Sequence, residues 1–190
     1  MDGNLKNCQE HLLVELKRIE MKLRLQAGKL RAEAGQSRGD KFHDFYISEG
    51  EVDAIIASPP GISGEKLSLH QGQLLRLPVL QRLFQLSAFE IDALLVCILP
   101  ELDLRYQKLY GYLQDDITKK SPTVDLLLHL LCESFEQRAI ARRAFLPEAP
   151  LMKYHLLRLH NDYIPGRTPL PAESLQIDER ITGYLLGIEQ

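Results

Sequence analysis

Few residues of this chain stand where catalysis would need them. The nearest approach to a phosphate-binding loop is Gly61-Ile62-Ser63-Gly64-Glu65-Lys66. Such a loop has the form G-x-x-x-x-G-K-[ST], so that backbone N–H groups and the lysine cradle phosphates while a hydroxyl reaches Mg²⁺. Here the glycines are too close, and Leu67 stands where the hydroxyl belongs, so the segment reads as a linker. His129 and Cys132 fall on one side of a helical segment, as two metal ligands can, but no second ligand pair completes a zinc set. Asp115-Asp116 offers paired acids, yet the nearby lysines make it read as the solvated end of a helix. His155 and His160 flank a β-like segment and read as surface residues. No G-x-S-x-G and no H-E-x-x-H occurs. The expectation is a non-enzymatic chain with no catalytic residue, cofactor site or metal site of its own.

Residues suited to contacting a partner are easier to find. Arg105, Tyr112 and Asp116 share one face of a predicted helix, and Lys119 and Lys120 follow it. Arg105 either pairs with Asp103 or Asp116 or reaches a partner. Arg138, Arg142 and Arg143 form a basic rim further on. The balance of charge opposes a duplex-DNA ligand, because phosphate neutralisation needs a basic surplus and this chain carries a net charge of -3. Cys8, Cys97 and Cys132 form no C-x-x-C pair and read as reduced, buried thiols of a cytoplasmic protein. The N-terminus lacks the basic-then-apolar order of a signal peptide, and no apolar run approaches the roughly 20 residues that span a bilayer. Arg38-Gly39-Asp40 matches an adhesion tripeptide by chance.

The elements that must position these residues are mostly helices. Leu5, Leu12, Leu16, Ile19, Leu23 and Leu30 recur at spacings of three, four or seven, which predicts a long helix over residues 4–34. Its narrow stripe, interrupted at Gln26, suits either a coiled-coil arm or oligomer contact, or a helix folded back on its own domain. Residues 34–41 read as a linker, and Phe42 to Ile47 as a short aromatic segment. Ser48 with Glu51 forms a capping box for a short helix that Ser58-Pro59-Pro60-Gly61 stops. After a second linker, Leu74, Leu77, Leu80 and Leu83 or Phe84 give one helical face, with Pro78 near its start or at a kink. Ser87 and Glu90 box the next helix, whose Ile91, Leu94, Leu95, Val96, Cys97 and Ile98 make it apolar nearly all round; Pro100 is expected to end it. A helix over 102–115 follows, lined by Leu102, Tyr106, Leu109 and Leu113, with Gly111 marking a close backbone approach. Ser121 or Thr123 caps a helix reaching Cys132, and a short helix covers 134–144. Pro147 and Pro150 close the helical zone. Residues 154–159 and 174–177 read as two strands around a Pro/Gly-rich loop, and Asp178 caps a last helix that Gly187 stops.

Three or four helices, a two-stranded wing and a final helix make the expected fold mainly α with a small β-hairpin. That is a winged helix-turn-helix preceded by a long N-terminal helix. The expected divisions are 1–41 for the arm and linker, 42–73 for a short helix and linker, and 74–190 for the winged-helix domain. The string Leu102-Asp103-Leu104-Arg105-Tyr106-Gln107-Lys108-Leu109-Tyr110-Gly111-Tyr112-Leu113-Gln114-Asp115-Asp116, followed by Lys119-Lys120-Ser121-Pro122-Thr123-Val124-Asp125-Leu126, is distinctive. Phe45-Tyr46-Ile47-Ser48 with Glu51-Val52, Ala149-Pro150-Leu151 with Tyr154, and Ile177-Asp178-Glu179-Arg180-Ile181 before Tyr184-Leu185-Leu186-Gly187 accompany it in order. From Phe42 onward the chain resembles the winged-helix domain that precedes the ATPase domain in a group of prokaryotic AAA proteins. The first forty residues carry none of that likeness.

The resemblance implies a regulatory, substrate-binding or adaptor-binding module of an AAA-type ATPase. Its partners would be an ATPase domain in cis or trans and a protein substrate or adaptor, with ATP and Mg²⁺ entering only if an ATPase domain follows. The family's nucleotide-binding residues match no position here. The chain then reads as a fragment of a longer protein or as a stand-alone copy of the module. The alternative is a DNA-binding winged helix, including one that dimerises through the long helix into a homo-oligomer. If the helix over 121–132 is the recognition helix, its lack of Lys and Arg and its Asp125 oppose base readout.

Overall fold

The computed structural model describes residues 2–36, 75–160 and 168–188. The linker readings, the aromatic segment after Phe42, the short helix after Ser48, the Gly61–Lys66 segment and the Arg38-Gly39-Asp40 tripeptide lie outside the described residues.

The first helix, α1 (Asp2–Gln36), lies along the rest of the molecule. Its inner side buries Cys8, Leu12, Leu16, Ile19, Leu23 and Ala27 against four of the helices that follow and the last one. Ala27 takes the buried place next to Gln26, where the leucine stripe lapses. Each buried leucine or isoleucine is worth roughly 1.5–3 kcal/mol, which holds a helix that propensity alone would leave marginal. Charged groups fix its rotation. Asp92 accepts hydrogen bonds from Arg18 at 3.0 Å and Lys22 at 2.9 Å. Burial works to raise the Asp92 carboxyl, and the two cations more than reverse it, holding it below the usual carboxylate range. Buried Glu20 accepts from Arg24 at 2.8 Å.

Next comes α2 (Arg76–Phe84), with Pro78 third in its first turn, where no intrahelical acceptor waits for an N–H. The capping box of Ser87 and Glu90 opens α3 (Ala88–Leu102), the centre of the core, where Ala93 to Leu99 are all buried. The sequence reading ends this helix at Pro100. The structure carries it on to Leu102, with Pro100 inside. A proline there removes the N–H that would bond the Val96 carbonyl. The fully buried Tyr110 hydroxyl donates to that carbonyl at 2.6 Å, so no buried acceptor is stranded.

Tyr110 belongs to α4 (Arg105–Leu113), shorter at both ends than the 102–115 expected. Asp103 caps the end of α3 and also accepts the Arg105 N–H at 2.9 Å, separating the two helices. Asp115, at φ 51, turns the chain back past Gly111. A Cβ on Gly111 would stand 3.2 Å from the Ile117 Cα, the close approach its presence implied.

Thr123 rather than Ser121 caps α5 (Val124–Leu131), accepting from the Leu126 N–H. After Cys132, Glu133 and Ser134 comes α6 (Phe135–Ala141), opened by a second capping box of Ser134 and Gln137 and continued by a 3-10 turn, Arg142–Phe145. The helical zone does not close at Pro147: Pro150 starts one more turn, α7 (Pro150–Lys153), at the position where its missing N–H costs nothing. Strands β1 (Leu157–His160) and β2 (Ser174–Ile177) pair antiparallel, Leu157 opposite Ile177. Thr123 adds a single further bridge to Ser174. Asp178 then caps α8 (Glu179–Leu186), and Gly187 at φ 79 ends it. The buried Asp178 carboxylate accepts from Arg180 at 2.8 Å and also from Arg158, and these arginines hold it down at about 2. The expected architecture stands among the described residues: mostly helical, a two-stranded sheet, a long N-terminal helix. Among the described residues no helix is long and apolar enough to cross a membrane.

Candidate partner-binding surfaces

The five residues singled out for partner contact do not form one patch. Arg105 is exposed at the start of α4, its guanidinium bound to Asp103 at 2.6–2.8 Å. The ion pair is with Asp103, because Asp116 has left the helix. Tyr112 is half-buried against the core. Asp116 accepts from the Thr118 N–H at 2.9 Å and the Thr118 hydroxyl at 2.6 Å. Lys119 is 8% exposed, while Lys120 stands in solvent.

Asp116 and Lys119 share a cleft. It measures about 470 Å³, lies between the far half of α1, the α4–α5 connection and the 3-10 turn Leu170–Ala172, and is also lined by Gln26, Asp125 and His129. Gln114 shapes its floor, accepting from the Thr123 N–H at 2.8 Å and donating to the Ser121 carbonyl at 3.2 Å. His129 bonds Asp125 on its own helix and is exposed, whereas Cys132 is buried and its thiol is raised by that burial. Among the described residues no cluster of three His, Cys, Asp or Glu is placed to hold a metal ion.

The second helix of the helix-turn-helix pair is α6, not the helix over 121–132. The latter, α5, buries Val124, Leu126, Leu127 and Leu128 and exposes only Asp125 and His129. By contrast α6 buries nothing. Phe135 is 73% and Ile140 66% exposed. Below Ile140 runs a cleft of about 630 Å³, walled by Phe89, Leu131, Ala141, Ala144 and Pro150, with Gln137 and Arg143 as polar edges. Phe89 packs edge-on to buried Phe145, ring centres 6.0 Å apart. Arg142 and Arg143 are exposed beside it, and Arg138 is half-buried. Exposed Glu133 and Glu136 stand at the opposite, N-terminal end, where the backbone N–H and Ser134 hold Glu136 below the usual carboxylate range.

The sequence reading missed Phe135, Ile140 and this cleft. A signal was present: Ser134 with Gln137 is a capping box directly after α5, which marks the second helix of the pair. A family model described as "Winged helix domain, variant" matches residues 62–190. No curated protein and no solved structure gives a significant match.

Proposed function

The chain belongs to the winged helix domain, variant, family, and from that premise we propose that it is a non-catalytic protein-binding module, the regulatory or adaptor-binding part of an AAA-type ATPase assembly. The ATPase setting draws its support from the resemblance carried by the Leu102 to Asp116 string. Protein binding draws its support from one observation: the helix placed for recognition shows apolar Phe135 and Ile140 beside an apolar cleft. Exposed aromatic and aliphatic anchors over a preformed groove suit a polypeptide segment. With Arg142 and Arg143 on one rim, a segment carrying two or three large apolar side chains next to Asp or Glu fits best.

A display selection of random peptides against the full chain is expected to enrich such segments, and Ile140→Asp to abolish their binding. The ATPase setting is tested in the gene: a G-x-x-x-x-G-K-[ST] motif in the same or the adjoining reading frame supports it.

Arg138 on α6, with Arg142 and Arg143 on the 3-10 turn that continues it, favours a second reading, DNA binding. Against it, the N-terminal end of a recognition helix is what meets base edges, and here that end carries Glu133 and Glu136. Tight retardation of duplex DNA at low salt, lost at high salt and in Arg142→Ala, would put DNA in place of protein.

A further inference from the structure

Between buried Cys132 and buried Phe145 run twelve consecutive residues, 133–144, and none of them is buried. They comprise α6 and most of the 3-10 turn that continues it. Ala141 and Ala144 touch the core, but a methyl group covers little of it. The polar side chains bond within the stretch: Gln137 accepts from the Glu133 N–H at 2.8 Å, and Ser134 accepts from the Gln137 N–H at 3.2 Å. Among the described residues, none of the stretch's side chains forms a hydrogen bond or ion pair with another element. Few buried apolar contacts and no bonds to the body are what make a segment open on its own, ahead of the rest of the fold.

Both ends of the stretch are anchored. The Cys132 N–H donates to the Leu128 carbonyl at 3.1 Å, and the Phe145 ring packs on Phe89. Beside each anchor the backbone is extended, at Cys132 and Ser134 before the helix and at Leu146 after the turn. Dihedral changes at such element ends swing a segment without breaking its internal hydrogen bonds. The cleft of about 630 Å³ lies under this stretch. Its far wall, with Phe89, Leu131 and Pro150, belongs to the body, and its near wall is Ile140, Ala141 and Ala144. We propose that α6 and its 3-10 turn form a strap that closes on the polypeptide held in the cleft. Closing takes Ile140, 66% exposed, out of water and onto the apolar side chain beneath it. Arg143 rides on the same strap, so an acidic flank on the bound segment draws that edge down as well. Binding thereby completes a site that the free chain holds open.

The strap rests on the peptide-binding reading, and hydrogen exchange of the full chain separates the two. In the free chain the amides of residues 138–144 should be at least about a hundredfold less protected than those of α3, through a local opening. Their exchange should also be nearly independent of urea below the unfolding transition, because a local opening exposes little surface. Saturation with a peptide selected against the chain should then raise their protection at least about tenfold. Peptide binding without that rise, or free-chain protection in α6 equal to that in α3, overturns the strap and leaves the peptide reading standing. A selection that enriches no peptide removes the reading on which the strap rests, and the strap with it.

Discussion

Helices α3 and α6 open with the same device, a serine N-cap reciprocated three residues later by Glu90 in one and Gln137 in the other. From there they part. In α3 an unbroken run from Ala93 to Leu99 is buried, and even the carbonyl released by Pro100 has a buried donor. In α6 no residue is buried, and its largest apolar side chains face solvent. Local signals set where a helix begins, whereas surrounding apolar surface sets what it is for. A helix apolar on all sides has only the core to go to. One with apolar residues left outside is a surface for something else.

The sharpest way to break this contrast is at Tyr110. Tyr110→Phe keeps the ring and strands the Val96 carbonyl, and a loss of about 1–3 kcal/mol in urea unfolding is expected. Adding Pro100→Ala restores an N–H for that carbonyl, so the cost of Tyr110→Phe should shrink in that background. A cost unchanged by Pro100→Ala would show that the proline and the tyrosine are not coupled.

A smaller effect is expected at the base of the wing, where Asp178 is buried but its arginines are exposed. Its folded value of about 2 lies below the ordinary 3.8. The sign follows: the contribution is complete above about pH 4 and is lost as pH falls from there towards 2. Asn also caps helices well, so Asp178→Asn should keep α8 and flatten the acid side of the stability profile. Salt should reduce the wild-type effect, because the partners sit in solvent.

The smallest effect on stability belongs to α6. Phe135→Ser and Ile140→Ser together should change the unfolding free energy by no more than about 0.5 kcal/mol, while removing the peptide binding proposed for the cleft. A large destabilisation instead would mean that these side chains support the fold.

Much of the fold was legible because its signals are local. Ser87 with Glu90, and Asp178 with Gly187, each act over a few neighbours. The readings that failed depended on distant groups. Pro100 as a stop ignored a tyrosine ten residues away. Lys119 and Lys120 look equivalent in sequence, yet one is buried and the other exposed, since the fold of the α4–α5 connection separates them. Phe135 and Ile140 went unremarked because nothing in a short helix tells which side stays outside.

By itself, then, the sequence determined that helices dominate, where most begin, that a two-stranded wing precedes the last one, and that no familiar catalytic motif is written in it. Periodicity and capping are enough for that, because they act through neighbouring backbone groups. Only the tertiary structure decided that α1 lies on the core, that α6 and not α5 is the presented helix, and which of the charged side chains are covered. Burial is a property of what comes from elsewhere in the chain, so no window of neighbouring residues contains it.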